Sequence, residues 1–133
     1  MLIRKNMVRL LLIVVLIAIG FASSPRPALA GTLCDVSGIC GRVQNNSSHD
    51  LYIYGNKVPG GPFYTYVLHP GQNSTIYLKD TDQVGSPTTN LKVSTPVTVI
   101  VGPWQYVKIG DPIYLNCYNE TVNGSAGVAC YWP

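Results

Sequence analysis

Residues 113–132, IYLNCYNETVNGSAGVACYW, are the stretch that decides the fold. Asn123-Gly124 is the dipeptide that best tolerates positive φ at both central positions of a type I′ turn, so the stretch predicts a two-residue β-hairpin. A turn at this dipeptide sets the register and places Cys117 opposite Cys130 at a non-hydrogen-bonded position. The Cα atoms of such a pair lie about 4.5 Å apart, which a disulfide can bridge.

The same register divides the hairpin into two faces of different polarity, because side chains alternate along a strand. One face carries Ile113, Leu115, Val128, Trp132 and the cystine; the other carries Tyr114, Asn116, Tyr118, Glu120 and Tyr131. Turn chemistry and polarity therefore agree on one strand pairing.

Four cysteines, at positions 34, 40, 117 and 130, indicate a disulfide framework. An even count in a small exported chain favours disulfides over a metal site. The hairpin selects Cys117–Cys130, which leaves Cys34–Cys40. The alternative joins the two N-terminal cysteines to the hairpin and would staple the chain ends together. Because the spacings match no common zinc finger, we predict neither a metal ion nor a cofactor.

Residues 1–30 have the pattern of a secretory signal peptide. Three basic residues within positions 4–9 precede an apolar run at 10–22, and Ala28-Leu29-Ala30 is an A-x-A cleavage site. We expect cleavage after Ala30, secretion to the extracellular space and no stable membrane anchor. The alternative is an uncleaved N-terminal anchor, although the apolar run is shorter than the roughly 20 residues that span a bilayer.

Residues 31–133 are then a single domain by length. The predicted signal peptide contains four of the basic residues. Residues 31–133 contain five basic and six acidic residues, so the formal charge changes from +3 for the full chain to −1. The apparent basicity belongs to the targeting signal, and we expect no nucleic-acid partner.

The pattern along residues 31–133 predicts an all-β fold with two disulfides. Gly and Pro recur every eight to twelve residues, between segments rich in Tyr, Val, Ile and Thr. This favours a small antiparallel sandwich or barrel of about seven to nine short strands. The predicted strands are 39–44, 51–55, 63–68, 74–79, 91–101 (as one strand or two), 104–109, 113–118 and 127–132, with a long polar loop at 80–89.

Tyrosine is the unusual component of the chain, with nine residues. Tyr52 and Tyr54 share one face of their strand, and Tyr64 and Tyr66 share one face of the next. If these two strands form a hairpin, we expect the four rings to lie side by side, with Tyr77 adjacent. Such a surface suits sugars or peptides, since rings stack while hydroxyls form hydrogen bonds. The alternative is that the rings only stabilise the sheet, at about 0.2–1 kcal/mol per cross-strand pair.

The sequence gives weaker support for a metal site or for catalysis. Asp80-Thr81-Asp82 offers two carboxylates that could ligate Ca²⁺ or could cap a strand. The two histidines, His49 and His69, both fall at predicted turns. The chain has no G-x-S-x-G elbow and its thiols are expected to be oxidised, so we predict that it is not an enzyme.

Residues 113–118, 121–124 and Trp132 resemble part of the bacterial secreted SH3-like modules. Earlier in the chain, the Tyr-x-Tyr-Gly at Tyr54 and the Asp-Thr-Asp at Asp80 resemble small exported bacterial proteins of unknown function. The SH3-like resemblance implies cell-wall or peptide binding and implies no catalytic residue.

These observations together predict a secreted, non-catalytic binding module for an extracellular ligand, either a glycan, the cell wall or a peptide. The alternative is a secreted protease inhibitor or an antagonistic, toxin-like effector. An inhibitor presents a rigid exposed loop near a disulfide, and residues 58–62 and 35–39 are its candidate loops. The oligomeric state and the ligand itself leave no signature in the sequence.

Overall fold

The computed structural model describes Cys34 and residues 39–133, which form two β-sheets and confirm the all-β prediction. The predicted signal peptide and residues 35–38 lie outside the described residues. The elements in chain order are β1 Arg42–Asn45, β2 Leu51–Asn56, β3 Phe63–Leu68, the 3₁₀ turn Ser74–Ile76, β4 Asp80–Gly85, β5 Asn90–Ser94, β6 Thr98–Val101, β7 Tyr106–Lys108, β8 Tyr114–Val122 and β9 Ser125–Tyr131.

The strands form a five-stranded sheet of order β1-β8-β9-β5-β6 and a four-stranded sheet of order β3-β2-β4-β7. All pairings in the four-stranded sheet are antiparallel. The five-stranded sheet is mixed, because β1 runs parallel to β8 and β5 runs parallel to β9. The predicted antiparallel arrangement therefore holds for the four-stranded sheet and for part of the other.

A single apolar core lies between the two sheets, so the architecture is a sandwich. Alternate residues of both sheets point into it and are almost fully buried, as the two-residue period of a strand requires. Its members are Val43, Leu51, Ile53, Leu68, Leu78, Val84, Leu91, Val93, Val107, Ile109, Leu115, Cys117, Val128 and Cys130.

The C-terminal hairpin has the predicted register. Asn123 and Gly124 have φ of 51° and 77°, the positive values that a type I′ turn needs. Cys117 pairs with Cys130 across β8 and β9, and both are buried in the core. Trp132 departs from the polarity pattern, because it follows the end of β9 and is 42% exposed.

Both predicted disulfides are present. Cys117–Cys130 has a Cα–Cα distance of 3.9 Å, and Cys34–Cys40 has one of 4.4 Å. The alternative that crosses from the N-terminal cysteines to the hairpin is thereby wrong. Two disulfides fit an oxidising, extracellular environment. Within the described residues, the structure contains no helix with the length and hydropathy to cross a bilayer.

Two predicted elements between β3 and β5 are wrong. Residues 74–79 are not a strand, because the Asn73 side chain accepts a hydrogen bond from the Thr75 amide and caps a short 3₁₀ turn. Residues 80–85 are not part of a loop but form β4, in the middle of the four-stranded sheet. Its polar start is tolerated there because Thr81 donates to the buried Ser74 hydroxyl, at 2.9 Å.

Candidate functional site

The outer face of the four-stranded sheet carries a set of aromatic side chains. Directly opposed residues of an antiparallel pair point to the same face. Tyr52 on β2 lies opposite Gly85 on β4, and Gly85 lies opposite Tyr106 on β7. The neighbouring residue Ile53 points into the core, so this row of residues points away from it.

Five rings belong to this surface, which we call the aromatic face: Tyr52, Tyr54, Phe63, Trp104 and Tyr106. Tyr54 and Phe63 stack with ring centroids 4.9 Å apart and planes 3° apart, and Tyr52 lies 5.4 Å from Trp104. Strands are spaced about 4.8 Å apart, so the face extends over on the order of 10 Å between β2 and β7.

Gly85 has no side chain, and the Tyr106 ring on the neighbouring strand occupies the space that a side chain would fill. A Cβ at this position would lie 2.7 Å from the Gln105 carbonyl oxygen and 3.1 Å from Cδ1 of Tyr106. Burial raises the pKa of the Tyr106 hydroxyl, which therefore stays protonated and able to donate a hydrogen bond.

Trp104 is the most exposed ring of the aromatic face, at 66%. Its φ is 65°, a left-handed conformation that bulky residues rarely adopt. Its amide donates to the Ser86 carbonyl at 2.8 Å, and the Gln105 side chain accepts from the Gly102 amide at 2.9 Å, so the turn is fixed on both sides. An exposed ring in strained backbone is not explained by folding stability and points to a function.

Polar side chains accompany these rings. The row next to Tyr52 consists of Thr65, Tyr54, Gln83 and Lys108, one from each strand of the sheet. Flat rings beside hydrogen-bonding groups are the arrangement by which proteins bind sugars, since a ring covers the apolar side of a sugar while polar groups bond its hydroxyls.

The five predicted site tyrosines do not share one surface, and that expectation is wrong. Tyr66 lies opposite Ile53 and Tyr64 opposite Gly55, so both point to the core side of the sheet, away from Tyr52 and Tyr54. Tyr66 packs partly against the core and stacks on Tyr77 at 4.9 Å. The predicted set therefore divides into two on the aromatic face and three on the other side.

Sequence reasoning missed Phe63, Trp104 and Tyr106 as site residues. The signal for two of them was present, because Trp104 and Tyr106 are two apart in the predicted strand 104–109 and so share a face. Phe63 alternates with Tyr64 along β3 and therefore lies on the other face, where it stacks on Tyr54.

Asp80, Asp82 and Asp111 form an acidic cluster beside the N-terminal disulfide. The Gly41 amide donates to Asp80 Oδ1 at 2.9 Å and to Asp111 Oδ1 at 3.1 Å, and the Cys34 amide donates to Asp111 Oδ2 at 3.2 Å. Burial raises the pKa of Asp80 to about 6 and, with repulsion from Asp111, raises that of Asp82. Two of these carboxylates thus hold the N-terminal segment in place, in line with a structural role.

The described residues contain one group with the composition of a metal site, which consists of Cys34, Cys40 and Asp80. Its two sulfurs are joined in a disulfide, and a disulfide offers no thiolate to a metal. The Ca²⁺ hypothesis for Asp80 and Asp82 gains no support, since Asp80 is 3% exposed and its carboxylate accepts the Gly41 amide.

The histidines form no recognisable catalytic arrangement. His69 Nδ1 lies 2.8 Å from Asp50 Oδ1, and both side chains are exposed. Within residues 39–133, no serine or threonine hydroxyl hydrogen-bonds to the His69 ring. The His49 carbonyl accepts hydrogen bonds from Asn45 and Ser47, which fixes the turn before β2.

No family model, curated protein or solved structure matches the chain. The predicted resemblance to SH3-like modules therefore stays a prediction.

Proposed function

We propose that this chain is a non-catalytic extracellular binding module that holds a neutral glycan on the aromatic face. The observation that carries the proposal is Trp104, a 66% exposed indole in left-handed backbone, adjacent to Tyr52. Folding alone favours neither the exposure of this ring nor its backbone conformation. A sugar ring covering it would remove apolar surface from water without requiring a deep cavity.

The flatness of the site favours a polysaccharide over a small free ligand. Phe63 and Trp104 are both more than half exposed, and Tyr54 and Phe63 present nearly parallel rings. Small-molecule sites are usually concave and bury most of the ligand. An extended chain can instead touch several rings in succession, and each contact adds to the affinity.

The test is binding of the purified exported protein to insoluble polysaccharides and to a glycan array. We expect Trp104→Ala to weaken binding about tenfold, because the loss of one stacked ring costs about 1.4 kcal/mol. Trp132→Ala is the matched control, since Trp132 is also exposed, at 42%, but lies beyond β9 on the other sheet.

Equal weakening by both tryptophan variants, or binding to no polysaccharide at all, would overturn the proposal. Circular dichroism of both variants checks that the sandwich is intact, so that a loss of binding is not a loss of fold.

One observation favours the protease-inhibitor alternative. Val58 is 64% exposed in the loop between β2 and β3, and that loop is held by bonds from Gly61 N to the Val58 carbonyl and from Asn56 Nδ2 to the Gly61 carbonyl. A fixed loop with an exposed apolar residue is the shape that a protease accepts. Inhibition of a protease panel that Val58→Asp abolishes would support this function, and a panel left fully active would exclude it for those proteases. The second candidate loop, 35–39, is described only at Ile39.

A further inference from the structure

A second surface of the molecule concentrates positive charge. An open cleft of about 390 Å³ lies near the N-terminal disulfide and is lined by Arg42, Lys57, Thr75, Tyr77 and Lys79. We call it the basic cleft. Its two remaining lining residues are almost fully buried and contribute little surface: Cys40 and Leu78.

The concentration of charge is unusual for this chain. Residues 39–133 carry five basic and five acidic side chains, and three of the five basic ones line the basic cleft. The described residues contain two ion pairs, His69–Asp50 and Lys92–Glu120, and neither includes a cation of the cleft. Three cations on one concave surface attract an anion, and none of them is neutralised by an ion pair in the described part of the chain.

Lys57 is held in place by aromatic rings. Its Nζ lies 4.7 Å from the centroid of Tyr64 and 5.2 Å from that of Tyr66. A hydrogen bond to Tyr66 also raises the pKa of Lys57, so the ammonium is charged at neutral pH. Tyr66 in turn stacks on Tyr77, a lining residue of the cleft. The three tyrosines on this side of the sheet thus position a cation. Because the Lys57 side chain is already ordered, it loses less conformational entropy when an anion binds.

The other groups of the cleft suit a hydroxylated ligand better than a peptide. Thr75 and Tyr77 supply hydroxyl groups, and the apolar lining residues are buried. Peptide recognition depends on apolar pockets that receive side chains, and the cleft presents none.

We propose that the basic cleft binds the oxyanion groups, carboxylate or sulfate, of an anionic polysaccharide. This site is separate from the aromatic face, because its tyrosines point to the opposite side of the four-stranded sheet. The proposal does not depend on neutral-glycan binding by the aromatic face.

The test is titration of the purified exported protein with four polymers. Polygalacturonate carries carboxylates, dextran sulfate carries sulfates, dextran is neutral, and polyglutamate is an acidic peptide. We expect binding to at least one of the two anionic polysaccharides, with an affinity that falls as salt increases. The preferred polymer of the two identifies the oxyanion.

The variants are Arg42→Gln and the pair Lys57→Gln with Lys79→Gln. We expect a loss of about fivefold for each cation removed at low salt. Lys92→Gln is the matched control, because it removes the same charge from a lysine on β5 in the other sheet, outside both the cleft and the aromatic face. Arg42→Gln leaves the packing of the tyrosines untouched, so it reports on charge even if the lysine pair disturbs the fold.

Three results would overturn the proposal: no binding to either anionic polysaccharide, equal loss in Lys92→Gln, or tighter binding of polyglutamate, which would assign the cleft to an acidic peptide. Trp104→Ala keeps the cleft intact. Trp104→Ala therefore tests the aromatic face with neutral glycans, and Arg42→Gln tests the basic cleft with anionic ones. A negative result for one site leaves the proposal for the other site unaffected.

Discussion

The acidic cluster predicts that the domain loses stability as pH rises from acidic to neutral. Burial raises the pKa of Asp80 from its ordinary value of 3.8 to about 6, and Asp82 and Asp111 add repulsion. A group whose pKa is higher in the folded state than in the unfolded state stabilises the fold, and the whole of this contribution is present at pH values below the unfolded pKa. The contribution is lost as the pH rises from the unfolded pKa through the folded pKa. The loss attributable to Asp80 therefore falls between pH 4 and 6.

The size of the effect follows from the shift. At about 1.4 kcal/mol for each pKa unit, the shift of Asp80 corresponds to at most about 3 kcal/mol. Solvent reaches the half-buried Asp82 and Asp111, so screening reduces this to about 1–2 kcal/mol. Glu120 acts with the opposite sign, because Lys92 lowers its pKa, but its window lies below pH 4.5.

The perturbation is Asp80→Asn, which removes the charge and keeps an oxygen that can accept the Gly41 amide. We expect the variant to differ least from the wild type near pH 4.5, to be more stable by about 1 kcal/mol at pH 7, and to unfold about 4–8 °C higher there. The assay is urea unfolding followed by circular dichroism at several pH values from 4.5 to 7, with both disulfides intact. A wild type that gains stability over this range, or a variant with the same pH slope, would refute the reasoning.

Two further predictions concern packing. Asn45→Ala should destabilise the domain by about 2–4 kcal/mol in urea unfolding, because the buried amide donates to the His49 and Leu68 carbonyls and its oxygen accepts from Ser47; a cost below 1 kcal/mol would contradict this. Gly85→Ala should cost about 1–3 kcal/mol by crowding Gln105 and Tyr106, and should also weaken glycan binding. Gly110→Ala is its control, since no atom lies within 4 Å of the added Cβ.

The parts of the fold that follow from local chemistry were predictable from the sequence. The C-terminal hairpin is set by Asn123-Gly124, and its register then brings Cys117 opposite Cys130 without any information from the rest of the chain. Strand β3, Phe63–Leu68, has the predicted bounds, because its alternating aromatic and β-branched residues end at the turn that follows Leu68.

The segment from 74 to 85 was not predictable in the same way, because distant residues decide it. The Ser74 hydroxyl accepts the Val43 amide and the Thr81 hydroxyl, and Asp80 accepts the Gly41 amide. These bonds satisfy polar groups that are otherwise costly to bury, so a polar sequence becomes the central strand β4. Sequence periodicity assigns such a segment to a loop, because Gly41 and Val43 lie about 30–40 residues away in the chain and leave no local signal.

The separation of the two proposed binding surfaces follows from the register of one hairpin. Asn56 pairs with Phe63, so six residues connect β2 to β3, and every opposed pair joins an even-numbered residue to an odd-numbered one. The four hairpin tyrosines all have even numbers, so those of β2 point to one face and those of β3 to the other. A pairing register shifted by one residue would instead have placed all four tyrosines on the same face. The register instead gives the outer face stacked, uncharged rings and gives the opposite side a cation held by tyrosines. One hairpin therefore supports two surfaces of different chemistry, and that is why we expect neutral and anionic ligands to bind independently.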